Sequence, residues 1–389
     1  MKNAMYAFSG DPITYGHVDI IDRAASAFDH LTVAIGRNPH KKYLFSLEER
    51  TSMAQEALGH IPNATVTSFD GLLVDYAYEH DIGVIVKGVR NAEDSSYENM
   101  LHQVRESQKL GVDTHILLAR PEIAHVSSSA VKHIQSEHGL IHEYVPINVK
   151  QRLEERISGQ YIIGVTGEIA SGKSYLSEML VDEARSYGIH AHNIELDGIA
   201  HQILQDREEP RYQKVRDEIT EEFGSYVRKE DGTIDRKRLG DIVFNDDASL
   251  QRLNRIMDTP LNVRIRKELQ DKEGLVLLNG ALIAESGRSY LSNNNTILVH
   301  IDKDTQEKRL RERGLTDEQI HNRVTSQYNH QEKRDLLARI IERDHHGSLW
   351  EIDNSGAGAD RMSVRGLIDT VINELPLPSY DGRDTNGKG

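Results

Sequence analysis

The sequence has no cysteine among its 389 residues and only one tryptophan. Without cysteine there can be no disulfide framework, no thiolate metal site and no cysteine nucleophile, so stability must come from packing. No apolar run approaches the roughly 20 residues that a membrane-spanning helix needs, and the first residues lack the apolar segment of a signal peptide. We therefore expect a cytoplasmic protein with no membrane partner.

Positive charge is also in short supply, because 47 Lys and Arg residues face 62 Asp and Glu residues, a formal net charge of −15. This imbalance argues against a broad surface for nucleic acid or anionic lipid, although it is compatible with local basic pockets. The proportions of hydrophobic residues (38%) and charged residues (28%) are those of an ordinary folded protein. At about 150 residues per domain, the length predicts two or three compact domains.

Two segments share the order apolar strand, glycine-bearing turn and amphipathic helix, which is how nucleotide-binding α/β domains begin. In the first segment, residues 4–8 are the strand and residues 18–25 the helix; in the second, residues 161–166 are the strand. Because further strands alternate with helical patterns, we expect an α/β protein with two doubly wound parallel sheets. The further strands are predicted at residues 31–35, 64–69, 83–86, 115–119, 275–278, 296–301 and 349–353, and a long helical stretch at residues 305–343.

The domain boundary is marked by a charged segment, residues 149–156, which is predicted to be a helix, and by the Ser158-Gly159 that follows it. We therefore place the first domain at residues 1–158 and the second at residues 159–375. The tail, residues 376–389, is rich in Pro, Gly and Asp and is predicted to be disordered.

The segment Gly167-Glu168-Ile169-Ala170-Ser171-Gly172-Lys173-Ser174 matches the phosphate-binding P-loop pattern. In such a loop, backbone N–H groups surround the phosphates, Lys173 reaches the β- and γ-phosphates, and the Ser174 hydroxyl binds Mg²⁺. The sequence lacks the guanine-binding Asn-Lys-x-Asp motif, which disfavours a GTPase.

Phosphoryl transfer to a hydroxyl benefits from a carboxylate that takes its proton, and Asp197 follows the strand that we expect after the P-loop. An exposed acidic loop is the alternative explanation for Asp197. Lys308, Arg309 and Arg313 could close over the phosphoryl group as a lid, with a solvated helix face as the alternative.

The first half also carries candidate anion sites. Thr14-Tyr15-Gly16-His17 lies at a predicted helix start, where backbone N–H groups, the helix dipole and the His17 ring can converge on one anion. Residues 127–129 are serines that open another helix, and in both places simple helix capping is the alternative. Lys41, Lys42 and Lys87-Gly88-Val89-Arg90 follow the second and fourth predicted strands, at the edge where doubly wound sheets bind ligands.

Residues 3–157 resemble bacterial-type phosphopantetheine adenylyltransferases, most clearly in Asp11-Pro12-Ile13-Thr14-Tyr15-Gly16-His17-Val18-Asp19-Ile20. Phe45-Ser46-Leu47-Glu48-Glu49-Arg50 and Val126-Ser127-Ser128-Ser129 support the resemblance. It implies a Rossmann-like nucleotidyltransferase, often hexameric, in which an acceptor phosphate attacks the α-phosphorus of ATP. Because that acceptor is already ionised, the reaction needs orientation and positive charge but no base.

This resemblance assigns roles in the first domain. His17 would stabilise the pentavalent phosphorus, with Lys41 and Arg90 as further catalytic cations. The contacts to 4′-phosphopantetheine would be Ser9, Lys41, Leu72, Leu73 and Lys87. The contacts to ATP would be Ser9, Gly10, His17, Gly88, Val89, Arg90, Glu98, Ile123, Val126, Ser127, Ser128 and Ser129. Phe8-Ser9-Gly10, Lys87 and Ile123 depart from the usual family residues, and Lys87 loses the two-pronged phosphate grip of an arginine.

Residues 161–373 resemble dephospho-CoA kinases. The resemblance rests on the P-loop, Glu195-x-Asp197-x-x-Ala200, Ala281-Leu282-Ile283-Ala284-Glu285, the Arg309 to Arg313 spacing, Arg323-x-x-x-Gln327 and Ile352-Asp353-Asn354-Ser355-Gly356. It implies a P-loop kinase with helical CoA-binding and lid insertions. Asp197 would be the base for the ribose 3′-hydroxyl, and Lys173 and Arg313 would act on the transferred phosphoryl group. The contacts to ATP would be Gly167, Ala170, Ser171, Gly172, Lys173, Ser174, Tyr175 and Asn354, with Mg²⁺ at Ser174.

Two departures leave the acceptor contacts of the kinase open: Asp258-Thr259-Pro260 stands where the family has His-Pro, and Glu168 replaces a usual glycine. Together the two resemblances predict a bifunctional enzyme for the last two steps of coenzyme A synthesis. Its ligands would be ATP with Mg²⁺, 4′-phosphopantetheine and dephospho-CoA, and it would form a homo-oligomer through the first domain. The alternatives are a kinase for a different small acceptor and a regulatory P-loop module without turnover.

Overall fold

The computed structural model describes residues 2–39, 41–243 and 246–377. The chain divides into two compact units, Met1–Ile157 and Ser158–Gly389. Each unit is built on a five-stranded, fully parallel sheet with alternating helices, which confirms the predicted α/β class. Most of the tail that was predicted to be disordered, residues 378–389, lies outside the described residues. In the described ranges, no helix is long and apolar enough to cross a membrane.

In the part of the chain that the structure describes, the first unit contains five strands and six α-helices. Its strands are β1 (Asn3–Phe8), β2 (His30–Gly36), β3 (Ala64–Phe69), β4 (Val84–Val89) and β5 (Asp113–Leu118), in the sheet order β3-β2-β1-β4-β5. Its helices are α1 (Tyr15–Ala27), α2 (Leu47–Ala57), α3 (Leu73–Glu79), α4 (Ala92–Ser107), α5 (Ser128–Ser136) and α6 (Ile147–Leu153), and a π-helical turn follows at Glu154–Ser158.

Both faces of the first sheet are covered, which explains the continuous hydrophobic runs of its strands. On one face, Leu31 of β2 belongs to an apolar cluster with Ile21 of α1 and Leu153 of α6. On the other face, Met5 of β1 belongs to a cluster with Val74 of α3. The sheet therefore contributes side chains to both apolar layers. The ends of its strands are left for ligand binding.

The second unit contains five further strands and nine helices within the described residues. Its strands are β6 (Gln160–Gly167), β7 (Ala191–Glu195), β8 (Gly274–Asn279), β9 (Thr296–His300) and β10 (Leu349–Asp353), in the sheet order β10-β9-β6-β8-β7. Its helices are α7 (Lys173–Ser186), α8 (Leu196–Gln205), α9 (Pro210–Phe223), α10 (Arg236–Val243), α11 (Asp247–Leu269), α12 (Lys303–Glu312), α13 (Asp317–Thr325), α14 (His330–Asp344) and α15 (Arg361–Glu374).

Two groups of helices interrupt the strand order of the second unit. Helices α8 to α11 lie between β7 and β8, and helices α12 to α14 lie between β9 and β10. The helical stretch predicted at residues 305–343 consists of three helices, α12 to α14. Gly314 adopts a positive φ of +76° and separates α12 from α13. The helix predicted at residues 149–156 begins earlier, at Ile147, and changes to π geometry after Leu153.

Gly274 opens β8 with a φ of +88°, and a Cβ at this position would overlap the carbonyl oxygen of His190. We expect Gly274→Ala to lower the free energy of unfolding of the second unit by at least about 2 kcal/mol, because alanine would strain the backbone and displace the chain at His190. Trp350, the single tryptophan, is buried in β10, so its fluorescence during urea unfolding reports on this unit.

The control is Gly366→Ala in α15, where a Cβ would meet open space. Alanine favours a helix over glycine, so this variant should be at least as stable as the wild type. A Gly274→Ala protein with an unchanged urea midpoint would contradict the close approach at the start of β8.

Candidate active sites of the two units

A cleft of about 670 Å³ opens at the carboxyl ends of β1 and β4 in the first unit. The strand order changes direction between these two strands, and sheets of this type bind ligands at such a point. Another cavity, of about 560 Å³, lies at the amino ends of these strands and contains no predicted site residue. The predicted residues that line the first cleft are Ser9, Gly10, His17, Lys41, Leu73, Lys87, Gly88, Arg90, Glu98, Ile123, Val126, Ser127, Ser128 and Ser129.

Two predicted residues do not present side chains to this cleft. Leu72 immediately precedes α3 and is 62% exposed, so the structure does not bring it to the cleft wall with Leu73. The side chain of Val89 is buried, which leaves only its backbone for a ligand. Lys87 was expected after the fourth strand but lies inside β4, because a lysine that faces the cleft interrupts the apolar pattern before the strand ends.

His17 lies in the first turn of α1 and has a defined hydrogen-bonding role. The backbone N–H of Thr14 donates to His17 Nδ1 over 3.0 Å, and the Thr14 hydroxyl lies 2.8 Å from the same nitrogen. Because Nδ1 accepts this bond, the neutral ring carries its proton on Nε2. Burial, assisted by the positive charges of Arg90 and Lys41, lowers the pKa of His17 to about 4. At neutral pH the ring is therefore an uncharged donor, suited to a phosphate oxygen.

Two cationic side chains of the cleft, those of Arg90 and Lys87, are held by carboxylates. Arg90 makes two bonds to Asp94, of 2.9 Å from Nε and 3.3 Å from Nη2. The ammonium of Lys87 lies 3.7 Å from a carboxylate oxygen of Glu98, which the resemblance assigned to the nucleotide. A phosphate group entering the cleft would compete with these carboxylates for the two cations.

The serine segment at the start of α5 uses two of its hydroxyls within the protein. Ser127 caps the helix, because its Oγ accepts from the N–H of Ala130 over 3.2 Å. The hydroxyl of Ser128 donates to the carbonyl of Pro12 over 2.8 Å. Capping, the alternative explanation for these serines, is therefore present. Binding of an anion here would rest on the backbone N–H groups at the helix start.

Asp11 joins three segments around the cleft, and the sequence analysis assigned it no role. Its buried carboxylate accepts from the N–H groups of Leu44 (3.0 Å) and Phe45 (3.1 Å) and from the ammonium of Lys132 (2.7 Å). Asp11 thereby bonds the turn after β1 to α5 and to the loop after β2, the loop that contains Lys41. Asp11 is a positioning residue, since its oxygens are engaged with the protein.

Arg50 is a second positioning residue that the sequence analysis did not assign. Its side chain is fully buried and donates to the carbonyls of Ser9 and Gly36, the latter at 3.0 Å. Ser9 directly follows β1, and Gly36 is the last residue of β2. Arg50 therefore fixes the loops after β1 and β2 relative to each other.

In the second unit the P-loop follows β6, the central strand of the sheet. Gly172 caps α7 with a φ of +85°, and a Cβ there would overlap the side-chain amide of Asn354. The Asn354 amide donates to the carbonyl of Ser171 over 2.6 Å. Arg309 donates to the carbonyls of Ala170 (3.3 Å) and Asn354 (2.9 Å). Asn354 and Arg309 thus support the loop, and this packing explains the need for glycine at position 172.

Lys173 folds over its own loop and lies near the other residues that the resemblance made catalytic. Its ammonium donates to the carbonyls of Gly167 (3.2 Å) and Glu168 (3.0 Å). Burial lowers the pKa of Lys173 to about 8; the charge of Asp197 opposes this shift, and the charge of Arg313 adds to it. Asp197 lies in the first turn of α8, and Arg313 directly follows α12.

The hydroxyl of Ser174 lies beside Asn279 at the end of β8, with 3.2 Å between Ser174 Oγ and Asn279 Nδ2. A hydroxyl oxygen is a ligand that Mg²⁺ accepts, together with phosphate oxygens and water, so Ser174 fits the predicted metal. The Asn279 amide donates to this hydroxyl and orients it, a contact that no sequence motif indicated. Tyr175, predicted to contact ATP, is 66% exposed on α7.

A buried ion pair lies close to the P-loop. Lys333 is fully buried, contacts the carboxylate of Glu285 and donates to the carbonyl of Ala281 over 2.9 Å. Burial lowers the pKa of Lys333, whereas the charges of Glu285, Glu168 and Asp197 raise it. Burial also raises the pKa of Glu168. Lys333 thus places a positive charge among the acidic groups near Lys173, a role that the sequence analysis did not assign.

Comparison with known families gives each unit a class. The cytidylyltransferase-like family matches residues 9–134, and the dephospho-CoA kinase family matches residues 161–348. The first unit is therefore a nucleotidyltransferase domain. The second unit is a P-loop kinase domain in which the charge of Asp197 acts on Lys173.

Named relatives narrow the first class. The phosphopantetheine adenylyltransferase of Caldanaerobacter subterraneus subsp. tengcongensis is 43% identical over 156 residues, which are 40% of this chain and 98% of the relative. The Geobacter metallireducens enzyme of that name is 41% identical over 157 residues (40% and 96%), and the Clostridium perfringens enzyme 39% over 158 residues (41% and 96%). The solved structure of TT1252 from Thermus thermophilus covers 56% of this chain and 98% of its own at 26% identity, with a TM-score of 0.42.

The chain belongs to the phosphopantetheine adenylyltransferase family through its first unit, and it carries a dephospho-CoA kinase domain in its second. Both predicted resemblances are confirmed. The roles of the individual site residues stay predictions that mutagenesis must test.

We expect Asp11→Asn to reduce kcat/KM for adenylyl transfer by about tenfold or more, because the amide cannot accept all the bonds of the carboxylate and leaves Lys132 without its charge partner. Steady-state kinetics would show the loss. The control is Asp22→Asn. Asp22 lies on α1, and its half-exposed carboxylate pairs with His60. Equal activity of the two variants would contradict the positioning role of Asp11.

The protonation of His17 can be followed by NMR of its side chain, assigned with a His17→Gln protein. With a pKa of about 4, the His17 signals should stay constant from pH 8 to pH 5.5 and report the Nε2–H tautomer. Since the unfolded histidine binds its proton near pH 6.5, this group should make the fold less stable as the pH falls from 6.5 towards 4. A titration midpoint near 6.5 in the folded protein would contradict the assignment.

Proposed function

We propose that this chain catalyses two consecutive ATP-dependent transfers that convert 4′-phosphopantetheine to coenzyme A. The observation that carries the proposal is the presence of two separate phosphate-binding sites, each in the unit that the corresponding family matches. The product of the first transfer, dephospho-CoA, is the substrate of the second. This relation gives a chemical reason for joining the two units in one chain.

In the first transfer, a phosphate oxygen of 4′-phosphopantetheine would attack the α-phosphorus of ATP, and pyrophosphate would leave. His17 would donate from Nε2 to an oxygen of the α-phosphate as negative charge develops there. Lys41 and Arg90 would supply positive charge, and Ser9 and Lys87 would orient the acceptor. No group has to remove a proton, which agrees with the neutral state of His17.

In the second transfer, the ribose 3′-hydroxyl of dephospho-CoA would attack the γ-phosphorus of ATP, and ADP would leave. Asp197 would accept the hydroxyl proton, and Lys173 and Arg313 would stabilise the transferred phosphoryl group. Ser174, whose hydroxyl is oriented by Asn279, would hold the Mg²⁺ that neutralises the ATP phosphates. Asp197 is exposed in the first turn of α8, and its charge is near enough to affect the pKa of Lys173. Both observations support this assignment.

The alternatives to the kinase are less well supported. A regulatory module that only binds nucleotide would not need a carboxylate near Lys173. The match of residues 161–348 to the dephospho-CoA kinase family favours that acceptor over a different small molecule. A homo-oligomer formed through the first unit and a cytoplasmic location stay predictions.

Two variants should separate the activities when 4′-phosphopantetheine, ATP and Mg²⁺ are supplied and the products are separated by chromatography. Wild-type protein should yield coenzyme A, pyrophosphate and ADP. Lys173→Ala should accumulate dephospho-CoA and pyrophosphate without ADP, because only the second site loses its phosphate ligand. His17→Ala should lose about 100-fold or more of the first activity but convert added dephospho-CoA at the wild-type rate.

Each variant is the folding control of the other, because each must retain one complete reaction. Wild-type protein that forms neither dephospho-CoA nor coenzyme A from 4′-phosphopantetheine would contradict the first activity. Protein that leaves added dephospho-CoA unphosphorylated would contradict the second.

A further inference from the structure

An arginine lies beside the face of α8 that carries Asp197. His201 is one turn further along α8 than Asp197, so the two side chains share a face of the helix. Arg236, the first residue of α10, reaches the His201 ring: its Nη1 lies 3.0 Å from Nδ1 and 3.2 Å from Nε2. Contact between α8 and the start of α10 therefore brings a guanidinium next to the Asp197 face.

The geometry of this contact leaves the charge of Arg236 intact. Nearly equal distances to both ring nitrogens place Nη1 over the imidazole rather than on one lone pair. The ring is held from its edge, because Gln205 Oε1 lies 2.5 Å from Nε2. A neutral ring can support a guanidinium by stacking but does not neutralise it.

Neighbouring arginines of the same helical insertion are paired with acidic groups. Arg228 pairs with Asp217, and Arg238 lies 3.4 Å from Asp235. Among the described residues, no carboxylate lies within ion-pair distance of Arg236, although the protein has a net charge of −15. Arg236 is thus an exposed cation, fixed by a ring, with N–H groups available to an anion.

The cations nearer the P-loop have other partners. Lys173 and Arg309 donate to carbonyls of the loop, and Lys333 contacts Glu285. In the proposed kinase site these groups would surround the phosphates of ATP. An acceptor that places its hydroxyl at Asp197 has to meet a different set of residues, on the side of α8.

We propose that Arg236, supported by His201, binds the diphosphate of dephospho-CoA. This inference rests on the proposed kinase function, which places the ribose 3′-hydroxyl at Asp197. The diphosphate is attached to the same ribose through its 5′ carbon, so it must lie within one sugar ring of that hydroxyl. The planar guanidinium can donate two parallel N–H bonds to phosphate oxygens. Arg236 then helps the enzyme select a diphosphate-bearing acceptor.

The test is a kinetic comparison of the second reaction in the full chain. Arg236→Ala should raise the KM for dephospho-CoA at least about tenfold, because a charge-assisted bond to the substrate is lost. The KM for ATP, and kcat at saturating dephospho-CoA, should stay within twofold of wild type. Arg236→Lys, which keeps the charge but loses the two-pronged grip, should give an intermediate KM. Lys237→Ala, which removes a neighbouring exposed cation of α10, is the matched control and should leave all three constants unchanged.

Several results would overturn the inference. One is an unchanged KM for dephospho-CoA in Arg236→Ala; another is an equal rise in the KM for ATP or an equal fall in kcat. If Trp350 fluorescence in urea shows that Arg236→Ala is unfolded, Arg236→Lys and His201→Gln are used to test the inference instead. Both variants must then raise the KM for dephospho-CoA selectively. Wild-type protein without any activity on dephospho-CoA would instead refute the proposed function.

Discussion

Backbone N–H groups at helix starts, held at the carboxyl edge of a parallel sheet, are the physical feature that both sites share. The first N–H groups of a helix have no partner inside it, and the helix dipole makes that end attractive to anions. The sheet places Thr14 at the start of α1, Ser127 at the start of α5 and Gly172 at the start of α7. Phosphate binding in this acidic protein therefore depends on local geometry and does not require a net positive surface.

Buried cations hold the loops that follow the strands at the same edge of each sheet. Arg50 bonds the carbonyls of Ser9 and Gly36, and Lys333 bonds the carbonyl of Ala281 and contacts Glu285. Taking a cation out of water is costly unless its hydrogen bonds are replaced, so each of these side chains fixes the loops that surround it. The first unit adds a carboxylate, Asp11, that accepts hydrogen bonds from two other segments at once, the loop after β2 and α5.

The sequence was most informative where a function is encoded within one strand, turn and helix. The P-loop and the segment that ends at His17 have fixed spacings, and the structure places both as expected. It was least informative for partners that are far apart in the chain. Asp11 and Lys132 are 121 residues apart, and Ser174 and Asn279 are 105 residues apart. No local pattern links such residues. Leu72 shows a different limit of sequence-based prediction. Which of two adjacent leucines faces the cleft depends on the residue at which α3 begins, and the sequence does not define that residue.

The hydrogen bond from Thr14 to His17 has a consequence for how the two proposed reactions respond to acidity. With Nδ1 occupied, the imidazole would neither take up nor give up a proton in the proposed adenylyl transfer, so that step would involve no acid–base chemistry. The proposed kinase step, in contrast, liberates the proton of an alcohol, which would pass through Asp197 to solvent. Under this proposal, only the second unit exchanges protons with its surroundings during turnover.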